Sequence, residues 1–399
     1  MKQTLHIEAK PLRLNLKTTV RHAAATRNKG ESIWVQAKRN GAYGYGEGCP
    51  RIYVAGDDLD ASLIWIKKNF SGLVNFKTLE DLKQWAKENK KEIDNYPSAW
   101  CAIEMAMLDL FAREMDCTVE KMLGLDDGKL CSRYTAVLGT DKKKEYTTLV
   151  QQYLILGISD FKIKLCGDLS RDIEKIDILE ELSVQYQAKP IRIRLDANNL
   201  WKDRCDEAIE YSTMLGIARI FAMEEPVRTK NVEDIGRFST ATGLPVILDE
   251  SLCTLEDLSL YRNTAGNFIA NIKISKVGGL IRALEMIEEL KKLRWPVIIG
   301  CHVGETSLLT RAALVISGAA GESLIAHEGA FGDYLLEQEP ASPMLKFGRE
   351  GLLDLNSPYY LKTVQGLQVI PPESWSVGFG MQCRMPLMTD KATENLALT

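Results

Sequence analysis

Residues 161–165 read "FKIKL", five positions that alternate apolar and cationic side chains. Period-two alternation predicts a strand with Phe161, Ile163 and Leu165 on one face and Lys162 and Lys164 on the other. Alone, a lysine face suits a solvated edge strand, because lysine is rarely buried without a partner. The surrounding chain argues otherwise. "YTAVLG" at 134–139 precedes the stretch, and "IRIRLDAN" at 191–198, "RIFAMEEP" at 219–226 and "PVILDES" at 245–251 follow it. "NIKISKVGG" at 271–279, "PVIIGCH" at 296–302 and "LIAHEGAFG" at 324–332 complete the series. Each apolar run gives way to a polar or glycine-bearing turn and then a charged amphipathic stretch. Eight such strand–helix units predict an α/β fold, a (β/α)8-type TIM barrel over residues 131–365, close to the ~250 residues typical of that barrel.

Residues 1–130 read as α+β material. Strand-like runs at 3–9 and 32–37 lead into the turn-rich "NGAYGYGEGCPRIYVAG". Glycines 44, 46 and 48 alternate there, but no strand–helix unit surrounds them, so a dinucleotide site is not expected. In "SAWCAIEMAMLDLFAREM", Ala102, Met105, Ala106 and Leu110 recur at helical spacing, with Pro97-Ser98 as the start. The tail, 366–399, carries "GLQVIPPE" and little helix, and is expected to pack back on the amino-terminal region.

Bulk properties narrow the function classes. A chain of 399 residues allows one large or two ordinary domains, and 45% hydrophobic with 26% charged residues is ordinary for a soluble protein. A formal charge of −4 and the lack of any long basic block argue against nucleic acid as a partner. The opening "MKQTLHIEAKPLRLNL" has no apolar signal-like core, and no apolar window is long enough to span a bilayer. Nine cysteines without a Cys-x-x-Cys pair suit reduced thiols and a cytoplasmic location. Only four histidines, His6, His22, His302 and His327, are present, so a histidine-rich metal site is not expected.

In such a barrel the active site lies at the carboxyl ends of the strands. There the sequence places Lys164, Asp196, Glu224, Asp249 and Lys273 on strands two to six, and His302 and Glu328 on seven and eight. The first three intervals, 32, 28 and 25, are one unit each. Three carboxylates at one mouth repel and raise one another's pKa. A divalent cation relieves this, and an all-oxygen set selects Mg²⁺, with Mn²⁺ as the alternative, over zinc. Beside that cation and Lys162, Lys164 is expected to have a depressed pKa and to act as a general base. Lys273, across the barrel, addresses the opposite face of a flat intermediate. The pattern describes abstraction of a proton α to a carboxylate, so the expected partner is a small-molecule carboxylate. A homo-oligomer is left open.

At these residues the chain resembles the enolase superfamily, in its muconate-lactonizing and dipeptide-epimerase branch. The resemblance implies a capping domain before the barrel, a tail returning to it, and Mg²⁺ stabilising an enediolate. Carried over, Lys-x-Lys is Lys162 and Lys164, and Asp-x-Asn is Asp196 and Asn198. Glu-Glu-Pro supplies Glu224, Asp-Glu-Ser supplies Asp249, and Asn-x-Lys-x-x-Lys-x-Gly-Gly supplies Lys273 with Lys276 in support. A lysine at 273 departs from the mandelate-racemase pattern, so His302 reads as a polar pocket residue. "VRHAAATRN" at 20–28 and "CPRIYVAG" at 49–56 resemble two mobile substrate-closing loops, which makes His22, Arg27, Arg51 and Tyr53 candidates for its distal end. Strand eight lacks the Asp-x-Asp of Ala-Glu epimerases, leaving Glu328 or Asp333 to hold a substrate ammonium. The expected reaction is racemisation or epimerisation of a dipeptide or other amino-acid derivative. The alternatives are a cycloisomerase, a dehydrating synthase of the o-succinylbenzoate type, or a non-catalytic ligand-binding barrel.

Overall fold

The structure is a computed structural model that describes residues 4–22, 25–126, 130–363 and 366–384. Strands β1 (His6–His22), β2 (Ala25–Arg39) and β3 (Ala42–Gly48) form an antiparallel meander. Asn40 and Gly41, both at positive φ (52° and 84°), join β2 to β3 with Arg39 facing Ala42. This is the Asn-Gly two-residue hairpin, whose twist matches that of the strands. Helices α1 (Leu59–Leu73), α2 (Leu79–Glu88), α3 (Lys90–Asn95), α4 (Pro97–Glu114) and α5 (Val119–Met122) follow.

Helix α4 starts at Pro97 as the sequence predicts, with proline in the first turn, where its missing N–H costs nothing. It is not a half-solvated helix, because every residue from Pro97 to Ala112 is buried. The alternating glycines explain one side of that burial. A Cβ built on Gly44, Gly46 or Gly48 would lie 2.1 Å from Ala106 O, 2.0 Å from Ala102 O and 1.9 Å from Ser98 O. Two residues of strand advance about as far as four of helix, so the glycine row and one carbonyl row of α4 stay in step.

After β4 (Cys131–Arg133), β5 (Ala136–Leu138) opens the barrel. It continues through α6 (Lys143–Ile155), β6 (Asp160–Lys164), α7 (Leu169–Gln185), β7 (Arg192–Asp196), α8 (Cys205–Leu215) and β8 (Ala222–Glu224). Next come α9 (Val232–Thr242), β9 (Val246–Leu248), α10 (Leu255–Tyr261), β10 (Phe268–Ile272), α11 (Ile274–Val277) and α12 (Leu280–Leu293). β11 (Val297–Ile299), α13 (Ser307–Ala320) and β12 (Leu324–His327) finish it. The eight strands β5 to β12 are parallel neighbours in chain order, and a parallel bridge from Tyr134 to His327 joins the two edges. The barrel expected from the sequence is present.

Two details differ. Strand six ends at Ile272, and "ISKV" turns into α11; Ile274 and Val277, three apart, suit a helical turn as well as a strand. The eighth unit carries no α-helix among the described residues. Its strand leads instead into a 3-10 turn, Gly332–Tyr334, and extended chain. That chain holds β13 (Ala341–Ser342), β14 (Leu352–Asp354), which pairs with β4, the hairpin β15 (Tyr359–Thr363) with β16 (Gly366–Ile370), and β17 (Gln382–Cys383), which pairs with β13. Near its end the chain meets α4: Phe379 N donates to Asp109 Oδ1 at 2.8 Å, and Arg113 donates to Met381 O at 2.7 Å. No helix among the described residues is long and apolar enough to cross a membrane.

The contact between β3 and α4 leaves no space for a side chain. Gly46→Val should destabilise the protein by about 1–3 kcal/mol, the usual range for overpacking, measured by urea unfolding. An unchanged midpoint would contradict this account of the interface.

Candidate active site

Strand register brings the predicted residues together. Lys164 faces Asp196 across β6 and β7, and Asp196 faces Glu224 across β7 and β8. Glu224 faces Ile247 on β9, so Asp249, two residues on, has the same inward side. Lys273 follows β10 directly. All five line a cavity of about 560 Å³ at the carboxyl ends of the strands, with Lys162, Asn198, Glu250, His302 and Glu328.

Four lysines lie among the acids. Lys164 Nζ donates to Asp196 Oδ2 at 2.8 Å and Asn198 Oδ1 at 3.1 Å. Lys162 Nζ donates to Glu328 Oε2 at 2.7 Å and Glu224 Oε2 at 3.2 Å. Its charge is therefore matched by carboxylates rather than facing Lys164 bare. Lys273 bonds Asp249. Lys276 donates to Asp249 Oδ1 at 3.0 Å, Asp249 O at 2.6 Å and Asn271 O at 2.6 Å, which fixes the strand end that carries Asp249.

These pairings set the electrostatics. Burial alone lowers Lys162, but Glu224, Glu328 and Asp196 hold it above its ordinary value; Asp249 does the same for buried Lys273. Burial raises Asp196 and Asp249, yet Lys164 with Lys162, and Lys273 with Lys276, keep both below the usual carboxylate range. Glu224 is the exception. Burial and the neighbouring Asp196, Glu328 and Asp249 outweigh Lys162 and push it up to about 8. Burial and Asp249 likewise push Glu250 up to about 8. His302 is held well below its ordinary value by burial and then by Lys273, which keeps the ring neutral.

Among the described residues no three His, Cys, Asp or Glu side chains converge as a formed coordination sphere. The donor chemistry still fits a hard divalent cation. Asp196, Glu224 and Asp249 are buried oxygen donors on three adjacent strands, and Glu224 sits where positive charge is short. Sequence reasoning missed Glu225, which accepts from Asp249 N, Ser251 N and Ser251 Oγ, each at 2.7 Å, and so shapes the turn after β9. It also passed over Arg194. That residue shares the inward face of "RIRLD" with Asp196, and the same alternation that marked the lysines would have shown it.

Other candidates are placed differently. Glu328 is no free anchor for an ammonium: it is 3% exposed and bridges Lys162 to Arg194, whose Nη1 donates to it at 3.1 Å. Asp333 turns from the cavity to Lys346 Nζ at 2.7 Å. Arg51 does not line the cavity. Its guanidinium is buried and donates to the backbone oxygens of Glu31, Pro50 and Val303, a latch between β2 and the loop after β11. Arg27 lies over the Tyr53 ring at 5.7 Å and pairs with Glu31 at 3.4 Å, and of these two only Tyr53 lines the cavity. The side chain of His22 lies outside the described residues.

Residues 145–350 match the family Enolase C-terminal domain-like. The L-amino acid-D/L-Glu epimerase of Francisella philomiragia is 27% identical over 310 residues, covering 76% of this chain and 83% of that one. The hydrophobic dipeptide epimerase of Enterococcus faecalis is 26% identical over 354 residues, covering 88% and 96%. A solved dipeptide epimerase of Enterococcus faecalis, complexed with Mg and the dipeptide L-Leu-L-Tyr, superposes with a TM-score of 0.75 at 23% identity, covering 95% of this chain and 99% of that one.

The Lys162–Glu328–Arg194 bridge should be costly to break. Glu328→Ala is expected to lose about 3–5 kcal/mol, since it removes a carboxylate that two buried cations share and leaves each with fewer partners. Lys162 and Arg194 hold the Glu328 carboxyl below its ordinary 4.5 despite burial. That share of stability is present above pH 4.5 and lost as the pH falls through the depressed value, so the gap between wild type and variant should narrow in acid. Equal unfolding midpoints at pH 7 would contradict this.

Proposed function

This chain belongs to the enolase superfamily, in its muconate-lactonizing and dipeptide-epimerase branch, and from that premise we propose a Mg²⁺-dependent isomerase that epimerises a dipeptide or another amino-acid derivative. The observation that carries the reading is the position of two lysines. Lys164 ends β6 and Lys273 follows β10, four strands apart in an eight-stranded barrel and hence on opposite sides of one cavity. Each is paired with a carboxylate on the next strand round or the one before, Asp196 or Asp249.

In this mechanism the substrate lies flat between the two ammonium positions. One lysine, neutral, takes the α-proton from its face, and the other delivers a proton to the opposite face of the enediolate. The reverse reaction exchanges their roles. Asp196, Glu224 and Asp249 would hold Mg²⁺, which would supply positive charge to the substrate carboxylate. Asn198 orients Lys164, and Lys276 orients Asp249. His302, kept neutral by burial, and Tyr53 border the substrate. Lys273 is buried and Lys164 is partly exposed, and positioned acid–base catalysis of this kind contributes about 10²–10⁴-fold.

Lys164→Ala and Lys273→Ala should each lower epimerisation by about 10²–10⁴-fold. Each should still exchange the α-proton of the one stereoisomer that faces its surviving lysine. Complete loss of exchange with both isomers in one variant, and full exchange in the other, would replace the two-base account by a one-base reaction. Chelation should abolish turnover, and added Mg²⁺ or Mn²⁺ should restore it; full activity of thoroughly chelated protein would remove the metal from the mechanism.

A further inference from the structure

The cavity does not end at the ring of charges. It continues sideways between α6 and the segment that follows β12. In a barrel of eight complete units, a helix after the last strand would pack beside the helix after the first. Here a 3-10 turn, Gly332–Tyr334, stands in that position, so one face of α6 borders the cavity instead of a helix. Thr148, Leu149, Gln152 and Tyr153 make that face, at the spacing of neighbours on a helix surface.

The opposite wall is Phe331 and Tyr334. Buried Phe347 packs on both walls, with ring centroids 6.3 Å from Tyr153 on α6 and 5.9 and 5.2 Å from Phe331 and Tyr334. The Thr148 hydroxyl is used within its own helix, donating to Lys144 O at 2.9 Å. The chamber therefore presents mainly the aromatic and aliphatic surface of Leu149, Tyr153, Phe331 and Tyr334, with the Gln152 amide as a neutral polar group at its exposed side, and the charged lining belongs to the strand ends and the first turn of α6. The whole cavity, charged mouth and chamber together, has a volume of about 560 Å³, in the range of ~300–1,000 Å³ that encloses drug-sized ligands. A lone amino-acid carboxylate would leave most of it empty.

We propose that this chamber selects the substrate: it seats an apolar or aromatic group at the end of the substrate remote from the reacting carboxylate, and α6 is the element that sets its size. The inference rests on the proton-abstraction reading above. It assigns the distal end to neutral surface rather than to an ion pair with Glu328 or Asp333, both of which are engaged elsewhere.

The test uses the Mg²⁺-loaded full chain and two matched pairs, L-Ala-L-Ala with L-Phe-L-Ala, and N-acetyl-L-alanine with N-phenylacetyl-L-alanine. Solvent deuterium incorporation gives kcat/KM, and calorimetry gives Kd without turnover. The phenyl-bearing partner of a pair should be favoured at least about tenfold, within what an apolar pocket can supply. Thr148→Trp and, separately, Gln152→Trp should reduce that preference to about twofold or less. Exchange with no preference for the phenyl group, or a preference that survives in both variants, overturns the chamber and leaves proton abstraction standing. Binding preference that is lost in the variants, without exchange by the wild type, supports the chamber and overturns the reaction. Absence of both binding and exchange with all four compounds overturns both.

Discussion

A lysine ammonium taken out of water costs several kcal/mol unless a carboxylate goes with it, and the barrel mouth buries Lys162, Lys273 and Lys276 at 4%, 7% and 1% exposure. Everything around them answers that requirement. Glu328 and Glu224 come to Lys162, Asp249 lies between Lys273 and Lys276, and Arg194 supports Glu328 from below. Arg194 is itself held by Thr135 at 2.6 Å and Asp160 at 3.0 Å, at the start of the barrel. The layer beneath the mouth is divided accordingly. Lys162 and Arg194 fill it on the β6 and β7 side, while Ala222, Ile247, Ile269, Ile298 and Ala326 form a separate apolar cluster on the other strands.

The cap is fastened to this barrel through buried carboxylates at helix amino termini, where unpaired N–H groups favour negative charge. Glu47 on β3 accepts from Thr306 N at 3.2 Å and Thr306 Oγ1 at 2.6 Å, ahead of α13. Glu104 on α4 accepts from Ile281 N at 3.0 Å, in the first turn of α12; burial pushes it up to about 7. The same attachment brings the β1–β2 hairpin over the mouth, where Lys17 N donates to Leu335 O at 2.8 Å. Thr18, Thr19 and Val20 thereby join the cavity wall.

The barrel and its charged mouth were legible in the sequence because both are periodic. Alternation within a strand set the inward face, and one charged residue per unit set the mouth. What escaped was set by contacts between distant segments. Arg51 sits in a glycine- and proline-bearing stretch that reads as a mobile loop, yet three backbone oxygens, one of them 252 residues away, hold it. Asp333 lies just past strand eight but is claimed by Lys346. The face of α6 that borders the cavity reads as an ordinary amphipathic helix, since no local signal says that no α-helix follows strand eight among the described residues. Glycines 44, 46 and 48 were visible, and their purpose became clear only when α4 was laid on them.

The central claim is that this balanced set of buried charges exists to move a proton on and off a carbon next to a carboxylate. Proton NMR of the Mg²⁺-loaded wild-type protein in D₂O tests it most directly, with L-Phe-L-Ala and L-Phe-D-Ala supplied separately. The account predicts that the α-proton signal of the alanine residue fades from both isomers and that both approach the same mixture of epimers. Retention of that proton in both, under conditions where the peptides bind, would contradict it.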